Sequence, residues 1–185
     1  MTYIFLANGF EEIEALTTVD MLRRAGIQIK MVSIMREKMV YGSHGIGVEA
    51  DIIFEECNFE NCQMLIVPGG YEGVENICNH FDCKAALRKF AESGRYVAAI
   101  CAGPMALAKA RVLGGHEATI YDGMESELID AEYVKKNVVV SGNIITGRGP
   151  AYASDFASEL IKILKNDDVA SEVRGDMLFE AWSFD

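Results

Sequence analysis

The chain is short of several things. Of its 185 residues only three are proline, one is tryptophan and three are histidine. It carries 17 lysines and arginines against 28 aspartates and glutamates, for a net charge of −11. No stretch supplies a basic surface interleaved with aromatics, and an anionic chain is repelled by nucleic acid and by anionic lipid. Nucleic-acid and membrane partners are therefore not expected. No apolar run reaches the roughly 20 residues that a spanning helix needs. The opening apolar stretch stops at Asn8-Gly9 and lacks a basic leader, so it reads as a first strand and the expected compartment is the cytoplasm. There is no Ser/Gly-rich linker, repeat or low-complexity tract, and residues 1–185 are read as one domain.

Five cysteines, an odd number, suit reduced thiols better than a disulfide framework. Cys57 and Cys62 match Cys78 and Cys83 in spacing, and His80 lies inside the second pair. A strand and a glycine turn separate the pairs, so a zinc site is set aside in favour of scattered thiols. No metal and no cofactor is expected.

What is present is an alternation of strands and helices. Residues 3–7, 29–34, 64–67 and 96–100 are short apolar runs rich in valine and isoleucine, as strands covered on both faces should be. Residues 138–140 and 144–146 flank Ser141-Gly142-Asn143 as a later strand pair. Amphipathic helices are expected over 11–25, closed by Gly26, over 82–93, closed by Gly94, and over 153–165. Residues 39–54, with Gly42, Gly45 and Gly47, read as a hairpin excursion from the main sheet. The last segment, 167–185, reads as a short helix and a tail docked through Phe179, Trp182 and Phe184. The whole is an α/β chain with a mostly parallel sheet and helices on both faces.

Three turns carry chemistry. At Ile100-Cys101-Ala102-Gly103-Pro104 a strand runs into a cysteine, then small residues, then a helix. This is the layout of a nucleophile elbow. A helix N-terminus next to Cys101 would favour its thiolate. After residues 64–67, Pro68-Gly69-Gly70 exposes backbone N–H groups at the same carboxyl edge of the sheet, and Gly70 with Ala102 could form an oxyanion hole. After the first strand comes Phe10-Glu11-Glu12-Ile13-Glu14. Glu11 and Glu12 read as ordinary complements to a helix dipole, whereas Glu14 is a candidate proton carrier if it points towards the thiol. His44, His80 and His116 fall on none of these turns, so a cysteine–histidine dyad has no support.

In this order the motifs Phe10-Glu11-Glu12-Ile13-Glu14-Ala15, Asp20-Met21-Leu22-Arg23-Arg24-Ala25-Gly26, Val67-Pro68-Gly69-Gly70, Ala99-Ile100-Cys101-Ala102-Gly103-Pro104 and Thr146-Gly147-Arg148-Gly149-Pro150 resemble the ThiJ/PfpI superfamily, in the branch named for the parkinsonism-associated DJ protein. The resemblance implies a flavodoxin-like three-layer sandwich and a homodimer. It implies that Cys101 is the nucleophilic, oxidisable cysteine and that Glu14 is the carboxylic acid hydrogen-bonded to its sulfur. Gly69, Gly70 and Ala102 match the backbone that faces an oxyanion, and Arg24 and Arg148 match arginines near the site and the dimer contact. Where some members carry a histidine after the next strand, this chain has Tyr121, and where other branches carry histidine after the cysteine it has Ala102. The activity so implied is a cofactor-independent thiol enzyme for reactive carbonyls, small aldehydes or glycated adducts. The alternatives are a redox sensor or redox-regulated chaperone that oxidises the same cysteine to a sulfinate, and an amidotransferase- or protease-like hydrolase.

Overall fold

Strands whose residues are apolar at every position can be buried on both faces only if helices cover each side. The computed structural model, which describes residues 1–179, meets that demand. In chain order the elements are β1 (Thr2–Leu6), α1 (Glu12–Arg24), β2 (Ile29–Ser33), β3 (Met39–Tyr41), β4 (Gly47–Glu49), β5 (Ile52–Ile53), β6 (Met64–Val67), α2 (Tyr71–Asn79), α3 (Phe81–Glu92), β7 (Tyr96–Ile100), α4 (Pro104–Lys109), β8 (Glu117–Ala118), β9 (Glu132–Tyr133), β10 (Val138–Ser141), β11 (Ile144–Gly147), α5 (Ala153–Leu164) and α6 (Asp167–Asp176).

Seven strands form one sheet in the order β10-β11-β7-β6-β1-β2-β5. Every pairing is parallel except β10 with β11, which a tight turn joins antiparallel. Alternation along the central strands divides the core in two. Tyr3, Phe5, Leu65, Val67, Val97 and Ala99 face Ile77, Leu87, Phe90 and Leu107 of α2, α3 and α4. Ile4, Leu6, Ile66, Ala98 and Ile100 face Val19, Leu22, Phe156 and Leu160 of α1 and α5. Each such large side chain, fully buried, contributes on the order of 1.5–3 kcal/mol of transfer free energy. The layering is the mostly parallel sheet covered on both faces that the alternation of strands and helices predicts, and the flavodoxin-like sandwich that the resemblance implies.

The ends of the elements follow local chemistry. Glu11 caps α1 by accepting the Glu14 N–H, and Gly26 leaves the helix at φ 66°. Asn166 caps α6 by accepting from Val169 N–H. The expected excursion at 39–54 is in part a hairpin: β3 and β4 pair antiparallel apart from the main sheet. The chain then returns to the sheet sooner than expected, because β5 pairs with the end of β2. A short parallel pair, β8 with β9, was not foreseen, since two-residue strands leave no periodic trace. Phe179 lies against the Arg174 guanidinium, 5.2 Å from ring centroid to charge. The expected packing of Trp182 and Phe184 falls outside the described residues. Among the described residues no helix is long and apolar enough to cross a membrane.

Candidate active site

Parallel strands β1, β6 and β7 end side by side, so the three turns that follow them share one edge of the sheet. β7 enters the first of these turns at Cys101, whose φ of 61° lies in the left-handed region that residues with a Cβ avoid. Neighbours hold it there. Its N–H donates to the Gly147 carbonyl at 2.9 Å, and its own carbonyl accepts from Tyr121 N–H at 3.0 Å. Backbone strain that the surroundings over-determine is typical of an elbow that presents a nucleophile. The cysteine is nevertheless only 9% exposed.

The second turn is locked to the first helix by a reciprocal pair of hydrogen bonds. Glu11 N–H donates to the Gly69 carbonyl at 2.9 Å, and Gly69 N–H donates to Glu14 Oε2 at 2.7 Å. Gly69 also has to be bare. A Cβ there would run into the Glu14 carboxyl and would lie 2.6 Å from Cys101 Cβ and 3.0 Å from its Sγ. Gly70, at φ 88°, turns the chain into α2 against the backbone of Gly9, Phe10 and Glu11.

Glu14 is wholly buried. Loss of solvent pushes its carboxyl up to about 7, aided by the nearby charge of Glu11 and opposed by the bonds to Cys101 and to the Gly69 amide. Its Oε1 has no protein hydrogen-bond partner of ordinary geometry. Burial raises the Cys101 thiol, and so do the charge of Glu14 and the bond to it. The amides of Ala102 and Gly70 pull the other way. Acid and thiol thus hold protons as a unit: with Glu14 protonated the carboxyl becomes a donor to sulfur, and with Glu14 ionised it opposes a thiolate. The plain preference for thiolate expected from a helix N-terminus is therefore corrected. α4 begins only at Pro104, and burial with the acid dominates.

The expected roles of the other residues divide. The amides of Gly70 and Ala102 favour the charged form of the sulfur. The Gly69 amide does not, being taken by Glu14. Arg148 is near the elbow, one residue past the Gly147 carbonyl that binds Cys101 N–H, but both arms of its guanidinium go to Asp122 at 2.6 Å. Those bonds hold the Asp122 carboxyl at about 2, well below its usual value. Tyr121, Asp122, Arg148, Pro150 and Tyr152 line an open cavity of about 350 Å³ beside the elbow. Arg24 is not brought to the thiol within this chain. It is exposed, paired with Asp20 at 2.7 Å, and ten residues along α1 from Glu14, about 15 Å at helical rise.

Two contacts escape a reading of the sequence. Asp122 carries no motif that marks it as the partner of Arg148. His44, which falls on none of the three turns, reaches back to Glu12, with Nδ1 2.8 Å from Oε2. Burial works against the charge on Glu12, yet bonds from the His44 ring and backbone outweigh it and hold the carboxyl at about 2. His80 caps α3 through Cys83 N–H, and His116 meets Ser141. The other cysteines are free. Burial first of all pushes Cys57 up to about 12 and Cys62 to about 11, and Cys78 and Cys83 are likewise raised.

Comparison with known proteins gives a consistent answer. The profile described as the DJ-1/PfpI family matches residues 2–163. The chain is 33% identical over 168 residues to a Pyrococcus furiosus protein named Deglycase PfpI, covering 89% of this chain and all of that one. It is 32% identical over 177 residues to Protein dj-1beta of Drosophila melanogaster, covering 95% of each. It spans only 36% of the length of Protein DJ-1 homolog B of Arabidopsis thaliana, to which it is 31% identical over 158 residues. Among solved structures, oxidized DJ-1 of Toxoplasma gondii superposes with a TM-score of 0.93 at 30% identity, covering 97% of this chain and 98% of the other.

Proposed function

Because the chain belongs to the DJ-1/PfpI family, we propose that it is a thiol enzyme that converts reactive carbonyls, such as methylglyoxal or the adducts it forms, without a cofactor. Relatives named deglycases support an enzymatic role. The observation that carries the reading is the Glu14 carboxyl, buried beside Cys101 and pushed up to about 7, so that it can give and take a proton near neutrality.

The sulfur attacks the aldehyde carbon, forming a C–S bond as the carbonyl π pair moves to oxygen. The Gly70 and Ala102 amides stabilise that oxyanion. Glu14 protonates the oxyanion and takes the C–H proton of the former aldehyde carbon, giving an enediolate. The hydroxyl proton on that carbon then passes to the neighbouring carbonyl oxygen while Glu14 returns a proton to the neighbouring carbon. The hemithioacetal becomes a thioester of an α-hydroxy acid. Water cleaves the thioester, releasing the acid and restoring the thiol. For methylglyoxal the sum is one water added and lactate formed, with no external oxidant or reductant. Lactate production is to be measured for the wild type, Cys101→Ser and Glu14→Gln; undiminished activity in both variants rules the mechanism out.

The unpartnered Oε1 of Glu14 favours one second reading, oxidation of Cys101 to a sulfinate that a protonated Glu14 would stabilise. Mild peroxide followed by peptide mass mapping tests it, and oxidation of other thiols before Cys101 would refute it. The proposed assembly is a homodimer, which light scattering on the eluting protein reads directly.

A further inference from the structure

The first turn of α1 gathers three buried carboxyl groups. Glu11 is 8% exposed, Glu12 is also buried and Glu14 has no exposure at all. Carboxylates removed from water need hydrogen bonds or cations to offset the lost solvation. The helix N-terminus supplies part of this, since Glu11 Oε2 accepts the Glu14 N–H at 2.7 Å. Among the described residues no lysine or arginine pairs with any of the three. Among the described residues the one imidazole that meets them is His44, at Glu12.

His44 is 70% exposed, but it does not roam. Its N–H donates to Glu12 Oε1 at 2.8 Å, and the preceding Ser43 N–H donates to the Phe10 carbonyl at 2.8 Å. Gly42 permits the approach, because a Cβ there would overlap the Glu12 carboxyl group. The hairpin loop is thus fastened over the start of α1 with its imidazole edge open to solvent.

We propose that Glu11, Glu12 and His44 form a binding site for a divalent transition-metal ion. One carboxylate oxygen from each glutamate and one ring nitrogen of His44 all lie within 4.8 Å of one another. Two ligands on opposite sides of an ion at about 2.1 Å are separated by about 4.2 Å, so a small side-chain rotation closes the set. Two carboxylates and an imidazole suit zinc, cobalt or manganese, with the remaining positions taken by water. The exposed face of His44 gives the ion a path in. On binding, the ion replaces the proton that His44 Nδ1 shares with Glu12, and that proton leaves to solvent.

Cobalt(II) titration of the full chain, followed by visible absorption and calorimetry without any carbonyl substrate, tests the site independently of the proposed activity. One ion per chain is expected, with ligand-field bands and no thiolate-to-cobalt charge transfer. His44→Ala, a change at an exposed residue, should weaken binding at least tenfold, and Glu12→Gln should do the same. His80→Ala should leave it unchanged. The proposal fails if His44→Ala binds cobalt as well as the wild type, if no saturable binding occurs, or if a charge-transfer band appears that Cys101→Ala removes.

Discussion

Gly69 N–H donates to Glu14 Oε2 at 2.7 Å, and the same glycine leaves bare the space in which the Glu14 carboxyl and Cys101 Sγ approach each other. Backbone and missing side chain together set the acid against the thiol.

Gly69→Ala tests that relationship in isolation, because Gly69 does not adopt a positive φ and alanine suits its backbone. The added methyl has to push either the carboxyl or the sulfur aside. Overpacking of this kind costs about 1–3 kcal/mol of stability. Displacing one reacting group by about 1 Å costs on the order of 100-fold in rate. Lactate formation and chemical denaturation read the two effects separately.

Glu14→Gln should lower the pH at which Cys101 becomes a thiolate. Burial of the sulfur is untouched by the change, but the charge of Glu14 and the bond to it are lost, and both raise the thiol. The amides of Gly70 and Ala102 remain. Alkylation of Cys101 by iodoacetamide across pH should therefore rise earlier in the variant, even though turnover falls by about 10²–10⁴. A later rise would show that Glu14 assists ionisation rather than opposing it.

The same residue sets a pH dependence of stability. The folded-state value of about 7 lies above the ordinary 4.5, so the folded protein binds more protons than the unfolded chain between those limits. Stability accordingly falls as pH rises from about 4.5 to about 7, and stays lower above that. The span corresponds to about 3 kcal/mol at the outside. Glu14→Gln removes this slope, so its gain in melting temperature over the wild type should be larger at pH 8 than at pH 4.5.

Cys101→Gly and Cys101→Ala should both abolish turnover, but they should differ in stability. Alanine keeps the penalty of φ 61°, whereas glycine does not. The glycine variant is expected to be the more stable by about 1 kcal/mol, measured by denaturant midpoint. Equal midpoints would mean that the elbow carries no strain.

Much of this architecture can be read from the chain before it folds. Residues 64–67 and 96–100 are apolar throughout because helices cover both their faces, and Gly26 and Gly94 follow helices whose periodicity was plain. Cys101 stood out because small residues after a buried strand permit a sharp turn. Other features depend on contacts that no local pattern encodes. His44 meets Glu12 only because the hairpin folds back over α1, and Asp122 meets Arg148 only once β11 is in the sheet. Arg24 shares a helix with Glu14, but periodicity does not say which end of that helix faces the thiol. The Gly69 amide was read with its neighbours as a binding group, and a glycine motif cannot reveal that Glu14 already occupies it.

The order of strands in the sheet has a bearing on synthesis. Cys101 N–H is held by the Gly147 carbonyl at the end of β11, and β11 is among the last strands to leave the ribosome. Until it docks beside β7, the Cys101 N–H lacks that partner. The elbow is therefore completed only after nearly the whole sheet has been synthesised.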